Sequence, residues 1–288
     1  MSLKFLSLLI AFLLQISLAS SALAQNFWSL ALVGDAGVTK PVIQSLRSSI
    51  LQQNVNQIVL LGDNVYDKSQ TYPIIWDPWK ALGFNFFAVA IGNHNKGYEN
   101  EIAYFGMPAE AYSFVKNQIR FVILNSDNVR TARDQAAFLE KVLSQSVEKQ
   151  IYLIYHHPSV TVSDMHEWPE RAEFQKLVRP LLIKYKQKIT AVLNGHDHLA
   201  TLVDINGIPL IVSGASYENR RARVLNYNDG IFQIKTLWNY SGGYYWVRLN
   251  FATDGSRACA QYIRVDRPEI SLNVQLYPKS ARGLVSCQ

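Results

Sequence analysis

The chain has 288 residues, 49% of them hydrophobic, with 28 Lys and Arg against 22 Asp and Glu, a formal charge of +6 and two cysteines. This composition suits a large buried core and excludes a low-complexity chain. No long basic run points to nucleic acid, and two cysteines without a CxxC pair leave no thiolate metal site. The mild positive excess fits an anionic substrate.

The first residues read as a secretory signal: Lys4, an apolar stretch from Phe5 to Leu14, then small residues ending Ala22-Leu23-Ala24. Gln15 interrupts the stretch, which is shorter than the ~20 residues of a membrane span. The expectation is therefore cleavage of residues 1–24, no stable membrane insertion afterwards, and export to a periplasm or the cell exterior. No cysteine beside the cleavage site supports a lipid anchor. Residues 25–288 read as a single layered domain. Cys259 and Cys287 either join to tie down the C-terminal tail or remain as two buried thiols.

Short apolar runs then recur, each followed by polar residues. Leu30 to Val33 precedes Gly34-Asp35-Ala36-Gly37; Ile58 to Leu61 precedes Gly62-Asp63-Asn64-Val65-Tyr66; Phe86 to Ile91 precedes Gly92-Asn93-His94. Ile151 to Tyr155 precedes His156-His157-Pro158, and Ala191 to Leu193 precedes Gly195-His196-Asp197-His198. Amphipathic patterns fill the gaps and predict helices over Pro41–Gln53, Asp134–Gln145 and Glu170–Lys186, with Asp134 as an N-cap. Strand, loop and helix in this order give parallel strands with right-handed crossovers, and ligands bind where the strands end. Beyond Gly195 the chain turns β-rich: Ala200–Asp204, Ile208–Val212, Tyr244–Phe251 and Ala258–Val265 read as hairpins completing a second sheet. Residues 218–243 read as a long loop. The expected fold class is α/β, a two-sheet β-sandwich flanked by helices.

Asp35, Asp63, Tyr66, Asn93, His156, His196 and His198 are oxygen and nitrogen donors suited to iron, manganese or zinc. Singly, Gly-Asp after a strand is an ordinary turn and Tyr66 an ordinary half-buried tyrosine. Five motifs, each after an apolar run and each carrying a different donor, point instead to a two-metal site. One carboxylate can serve both ions, and Asp63 is the obvious bridge. A phenol with a pKa near 10 loses its proton at acid or neutral pH only to a strongly Lewis-acidic ion, so Tyr66 indicates iron(III). His157 is expected to be non-ligating, because neighbours on an extended chain face opposite ways.

These motifs, Gly-Asp-x-Gly, Gly-Asp-x-x-Tyr, Gly-Asn-His, His-x-Pro and Gly-His-x-His, resemble those of the purple acid phosphatases of the calcineurin-like metallophosphoesterase superfamily, nearest the short tartrate-resistant type. The likeness runs from about Trp28 to about Ile263. It implies that Asp35, Tyr66 and His198 hold iron(III), that Asp63 bridges, and that Asn93, His156 and His196 hold a divalent partner: iron, zinc or manganese. It further implies a hydroxide between the ions as nucleophile, with His94 and His166 as the catalytic, substrate-side histidines. Gly37 stands where most of the wider superfamily has a histidine, and Tyr66 supplies the missing ligand. Asn95 stands where an acid is usual. The segment 125–134 is shorter than the corresponding loop of the animal enzymes, implying a more open cleft.

The leading expectation is an exported acid phosphatase that hydrolyses small phosphate monoesters. The alternatives are a phosphodiesterase or nucleotide hydrolase at the same site, for which Arg220, Arg221 and Arg223 would provide charge, and a non-catalytic secreted binding protein on the same scaffold.

Overall fold

The computed structural model describes residues 27–284 apart from 167–169, 229–231, 241 and 268. The expected signal segment 1–24 and Cys287 lie outside the described residues. Cys259 is disulfide-bonded.

Two mixed sheets face each other. The first contains β1 (Phe27–Val33), β2 (Gln57–Leu61) and β3 (Asn85–Ala90), which run parallel, followed on the other side of β1 by antiparallel β12 (Tyr245–Ala252), β13 (Ala258–Arg264), β14 (Ile270–Tyr277) and β15 (Gly283–Leu284). The second runs β10 (Asn226–Asn228), β11 (Gln233–Tyr240), β8 (Ala200–Ile205), β9 (Ile208–Ser213), β7 (Ile189–Asn194), β6 (Gln150–Ile154), β5 (Ile119–Ile123) and β4 (Tyr112–Lys116). Within it β5, β6, β7 and β9 are parallel. Helices α1 (Pro41–Gln52), α2 (Tyr72–Lys80) and α3 (Tyr98–Phe105) pack on the outer face of the first sheet, and α4 (Ala132–Gln145) and α5 (Ala172–Lys184) on that of the second.

The continuous apolar runs follow from this layering, because a parallel strand covered on both sides needs apolar residues at every position. In β6, Tyr152 and Ile154 enter the core between the sheets, while Ile151 and Leu153 meet the helices. Phe121, Tyr152 and Phe251 pack ring against ring across that inter-sheet core.

The two-sheet sandwich with flanking helices agrees with the sequence reading, but several details differ. The late hairpins do not build one second sheet: β8 and β9 extend the sheet of β7, whereas β12 and β13 join β1. Both sheets thereby gain antiparallel strands from the C-terminal half. The expected loop 218–243 contains β10 and β11, and a bulge between Thr236 and Trp238 breaks the alternation that would have marked β11 as a strand. Asp134 lies in the first turn of α4, with Thr131 at its N-cap. Helix α5 starts at Ala172, because Arg171 takes a left-handed φ of 51°. Among the described residues no helix is long and apolar enough to cross a membrane.

Candidate metal centre

The ends of β1, β2, β3, β6 and β7 deliver their loops to one edge, where the two sheets are stitched together. Gly34 N donates to Ser213 O across the sheets (2.9 Å), while the bonds from Asp35 N to Gly62 O (3.1 Å) and from Gly195 N to His156 O (3.2 Å) tie together neighbouring loops within each sheet. Four of the expected donors, Asp35, Asp63, His196 and His198, adopt left-handed φ values of 59°, 55°, 70° and 49°. Such backbone costs roughly 1–2 kcal/mol per residue outside glycine and persists where surrounding contacts enforce it. Here it turns each side chain inward from the strand end.

All seven donors meet. At one end the Tyr66 hydroxyl lies 3.1 Å from Asp35 Oδ1 and 2.9 Å from His198 Nε2, with His198 Nε2 3.5 Å from Asp35 Oδ1. At the other, His156 Nε2 lies 3.1 Å from Asn93 Oδ1 and 3.2 Å from His196 Nδ1. Asp63 lies between them: its Oδ1 is 3.1 Å from His156 Nε2 and accepts His94 N (2.8 Å). Burial alone would raise the Asp63 carboxyl, but the charge and bond of His156 and the His94 N–H outweigh it and hold the group below the usual carboxylate range. Tyr66 is pushed far up by burial and by the Asp35 and Asp63 charges, so only a cation would draw off its proton.

Each histidine in the set is held by its outer nitrogen. His156 Nδ1 donates to Leu61 O (2.8 Å), His196 Nε2 to Glu170, and His198 Nδ1 to Glu218 Oε2 (3.0 Å). These partners fix the orientation of each ring, so that with an ion bound each inner nitrogen would turn its lone pair to it, the arrangement of metal-bound imidazole. The inner nitrogens of His156 and His196 face each other beside buried carboxylates. Such a donor set fits cations and suits little else. Asp35, Asp63 and His156 form one triad of converging ligand atoms, and His156, His157 and His196 another.

His157 does not point away. Strand β6 ends at Ile154, so the alternation rule no longer applies at His157, whose ring centroid lies 4.4 Å from that of His196. Its Nδ1 bonds Ser126 Oγ (2.9 Å), and burial holds it well below its ordinary pKa and neutral. His94 is exposed with its ring on Tyr66 (4.4 Å), and the His166 ring packs at a tilt against His196 (4.1 Å). Asn95 is turned into its own loop, donating to Gly92 O (2.8 Å) and accepting from Gly97 N (2.9 Å). The three arginines separate: Arg223 clamps Ser163 O and His166 O, Arg220 pairs with Glu218 (2.6 Å), and Arg220 and Arg221 line a cleft of about 430 Å³ with Asn219 and Tyr244.

Sequence reasoning missed Glu170, Glu218 and Glu101. The spacing of Glu170, four residues after His166, was the one available signal. Glu101, fully buried on α3, accepts Asn64 Nδ2 (2.6 Å) and the Tyr72 hydroxyl (2.9 Å), and Tyr72 in turn accepts Lys96 N (3.1 Å). It thus fastens the loops carrying Asp63 and His94. Burial pushes its carboxyl up to about 7, against the opposing bonds of Asn64 and Tyr72. Between pH 4.5 and 7 the folded chain keeps a proton that the unfolded chain has released, so stability falls as pH rises. We expect metal-free protein to lose up to about 3 kcal/mol through this group, and Glu101→Gln to flatten that part of the slope. Urea unfolding at pH 5 and pH 8 measures it; identical pH dependence in both proteins would refute the assignment.

The sequence profile of the calcineurin-like phosphoesterases matches residues 29–200. Tartrate-resistant acid phosphatase type 5 from Oryctolagus cuniculus is 37% identical over 146 residues, covering 50% of this chain and 39% of that protein. The human protein of that name is 36% identical over the same length. The match thus spans well under half of either acid phosphatase. A probable cyclic nucleotide phosphodiesterase of Vesicomyosocius okutanii is 25% identical over 222 residues, covering 68% of this chain and 88% of that protein. Among solved structures, GAP50 of Plasmodium superposes with a TM-score of 0.68 at 15% identity, covering 87% of this chain and 88% of that one. A dimetal phosphatase from Danio rerio gives a TM-score of 0.57 at 13% identity, covering 86% and 98%. With its two helix-flanked mixed sheets and the profile match over residues 29–200, the chain belongs to the calcineurin-like phosphoesterase family.

Proposed function

We propose that this protein is an acid phosphatase that hydrolyses small phosphate monoesters at a dinuclear centre of iron(III) and a divalent ion, iron, zinc or manganese. In this reading it acts after export and removal of residues 1–24, with residues 25–288 forming one domain. Asp35, Tyr66 and His198 would hold iron(III), Asn93, His156 and His196 the divalent ion, and Asp63 both. Bound there, the ions would supply Lewis acidity that activates water for attack on phosphorus and offsets phosphoryl charge. His94, exposed and seated on the Tyr66 ring, would contact the phosphate. His166, whose pKa is raised by its bond to Glu170, would give the leaving oxygen its proton.

The observation that carries this reading is the Tyr66 hydroxyl between Asp35 and His198, because a phenolate ligand selects iron(III) within this family of sites. The expected result is a purple protein whose visible phenolate-to-iron(III) band is abolished in Tyr66→Phe, with elemental analysis giving two metals per chain. A colourless preparation, fully active with zinc or manganese alone, would overturn the iron assignment.

A second reading, a phosphodiesterase, is favoured by the cleft lined by Arg220 and Arg221. Rates on nitrophenyl phosphate and bis-nitrophenyl phosphate separate the two, and a large excess on the diester would displace the monoesterase reading.

A further inference from the structure

We propose that Glu170 is a positioning residue, a brace that ties the metal-side histidine His196 to the substrate-side histidine His166 so that the divalent ion and the proton donor are set by one carboxylate. This rests on the proposed function for the roles of the two histidines, but its geometry stands by itself. One oxygen of Glu170 accepts His166 Nδ1 (2.8 Å), and the other accepts His196 Nε2. The two imidazoles lie in tilted contact, 4.1 Å between centroids and 40° between planes, so the carboxylate spans a packed pair rather than two loose side chains. His196 is nearly buried and Glu170 about one quarter exposed, which separates this contact from an ordinary surface ion pair worth little.

The chain on either side holds the brace in place. Arg171, the next residue, takes a φ of 51°, which turns Glu170 away from the axis of α5. Its guanidinium pairs with Asp127 (2.7 Å), which also accepts the Tyr98 hydroxyl (2.9 Å). On the other side Arg223 donates to His166 O (2.9 Å). His166 is therefore fixed by its ring, its Nδ1 and its carbonyl. His196 Nδ1 faces His156 while its Nε2 is held by Glu170, so the carboxylate sets both the tautomer and the orientation of a ligand.

The test uses metal-loaded full-length protein and the variants Glu170→Gln, Glu170→Asp and His166→Asn. In chelator competition Glu170→Gln should release the divalent ion about 10- to 100-fold more readily than wild type, the range seen for lost outer partners of ligand histidines. Iron(III) and its visible band should stay. Glu170→Asp, one methylene too short to span both rings, should fall between the two. His166→Asn should hold both ions as wild type does. In kinetics Glu170→Gln should lower kcat with KM nearly unchanged, and the double variant Glu170→Gln/His166→Asn should be no worse than the poorer single, because the two act as one unit.

Wild-type retention of both ions by Glu170→Gln, or additive kcat losses in the double variant, would overturn the brace. Release of iron(III) together with the divalent ion would also overturn it, as a general structural role would. The chelator arm needs no turnover. A chain that hydrolyses no monoester but whose Glu170→Gln variant frees one ion would therefore defeat the proposed function and leave the brace standing.

Discussion

Replacing Asp63 by alanine is expected to lower kcat by at least about a thousandfold and to reduce the metal content from two ions per chain to one or fewer. The size follows from position. Asp63 lies within reach of both donor groups, since its charge bears on Tyr66 while its Oδ1 lies 3.1 Å from His156 Nε2. A shared carboxylate holds two cations together against their mutual repulsion, and losing it forfeits several kcal/mol of transition-state stabilisation; a thousandfold corresponds to about 4 kcal/mol. The same oxygen accepts His94 N, so the substrate-side loop loses its anchor as well. Asp63→Asn separates these contributions, because the amide oxygen keeps the His94 bond and the volume while the charge goes. We expect Asp63→Asn to fold and to hold His94 yet still to lose at least one ion. Elemental analysis after gel filtration reads the metals, and initial rates on nitrophenyl phosphate read kcat. Two ions per chain together with a tenth or more of wild-type activity in Asp63→Asn would contradict the bridging role.

Much of the arrangement around Asp63 was legible because one physical rule governs it. Parallel strands covered on both faces must be apolar throughout, and their loops must gather at one edge, so Asp35, Asp63, Asn93, His156 and His196 announce themselves as polar residues after apolar runs. Where the rule does not reach, the reading failed. Helix α2 carries Pro73 and Pro78 among apolar residues, which obscures a helical stripe, although the first proline lies in the opening turn. The partition of β8, β9, β12 and β13 between two sheets depends on which open edge each hairpin meets, and no local pattern encodes that. Glu218 looks like a solvated surface acid, because a carboxylate that holds a histidine 20 residues away leaves no spacing signature, and the spacing of Glu170 points only to His166, not to His196, 26 residues on. Glu101 was hidden for the opposite reason: it sits in an exposed-looking acidic helix start, and only the fold shows it fully buried.

Gly37 yields the second large effect and gives a physical reason why, in the proposed site, Tyr66 rather than a side chain at position 37 would supply the ligand. A Cβ placed on Gly37 would stand 2.3 Å from Val65 N, 2.4 Å from Asn64 C and 2.5 Å from Asp63 O, all backbone atoms that cannot rotate away. Gly37 N donates to Asp63 O (3.1 Å) and Tyr66 N to Gly37 O (2.9 Å), so the first loop lies directly on the loop that carries Asp63 and Tyr66. Contact this close leaves no room for the histidine that the wider superfamily places there. Gly37→Ala should push the two loops apart, cost about 1–3 kcal/mol of stability as overpacking does, and reduce activity about a hundredfold or more through displaced Asp63 and Tyr66. The sharper test is the exchange Gly37→His with Tyr66→Phe. If ligand chemistry alone mattered, the new histidine would restore the ion lost with the phenol. If the backbone approach governs, the double variant binds fewer metals than Tyr66→Phe alone and its thermal midpoint falls below that of either parent. We expect the second result, read by elemental analysis and thermal unfolding. A double variant carrying two ions and wild-type stability would show that this loop accepts a side chain and that Tyr66 is a replaceable choice.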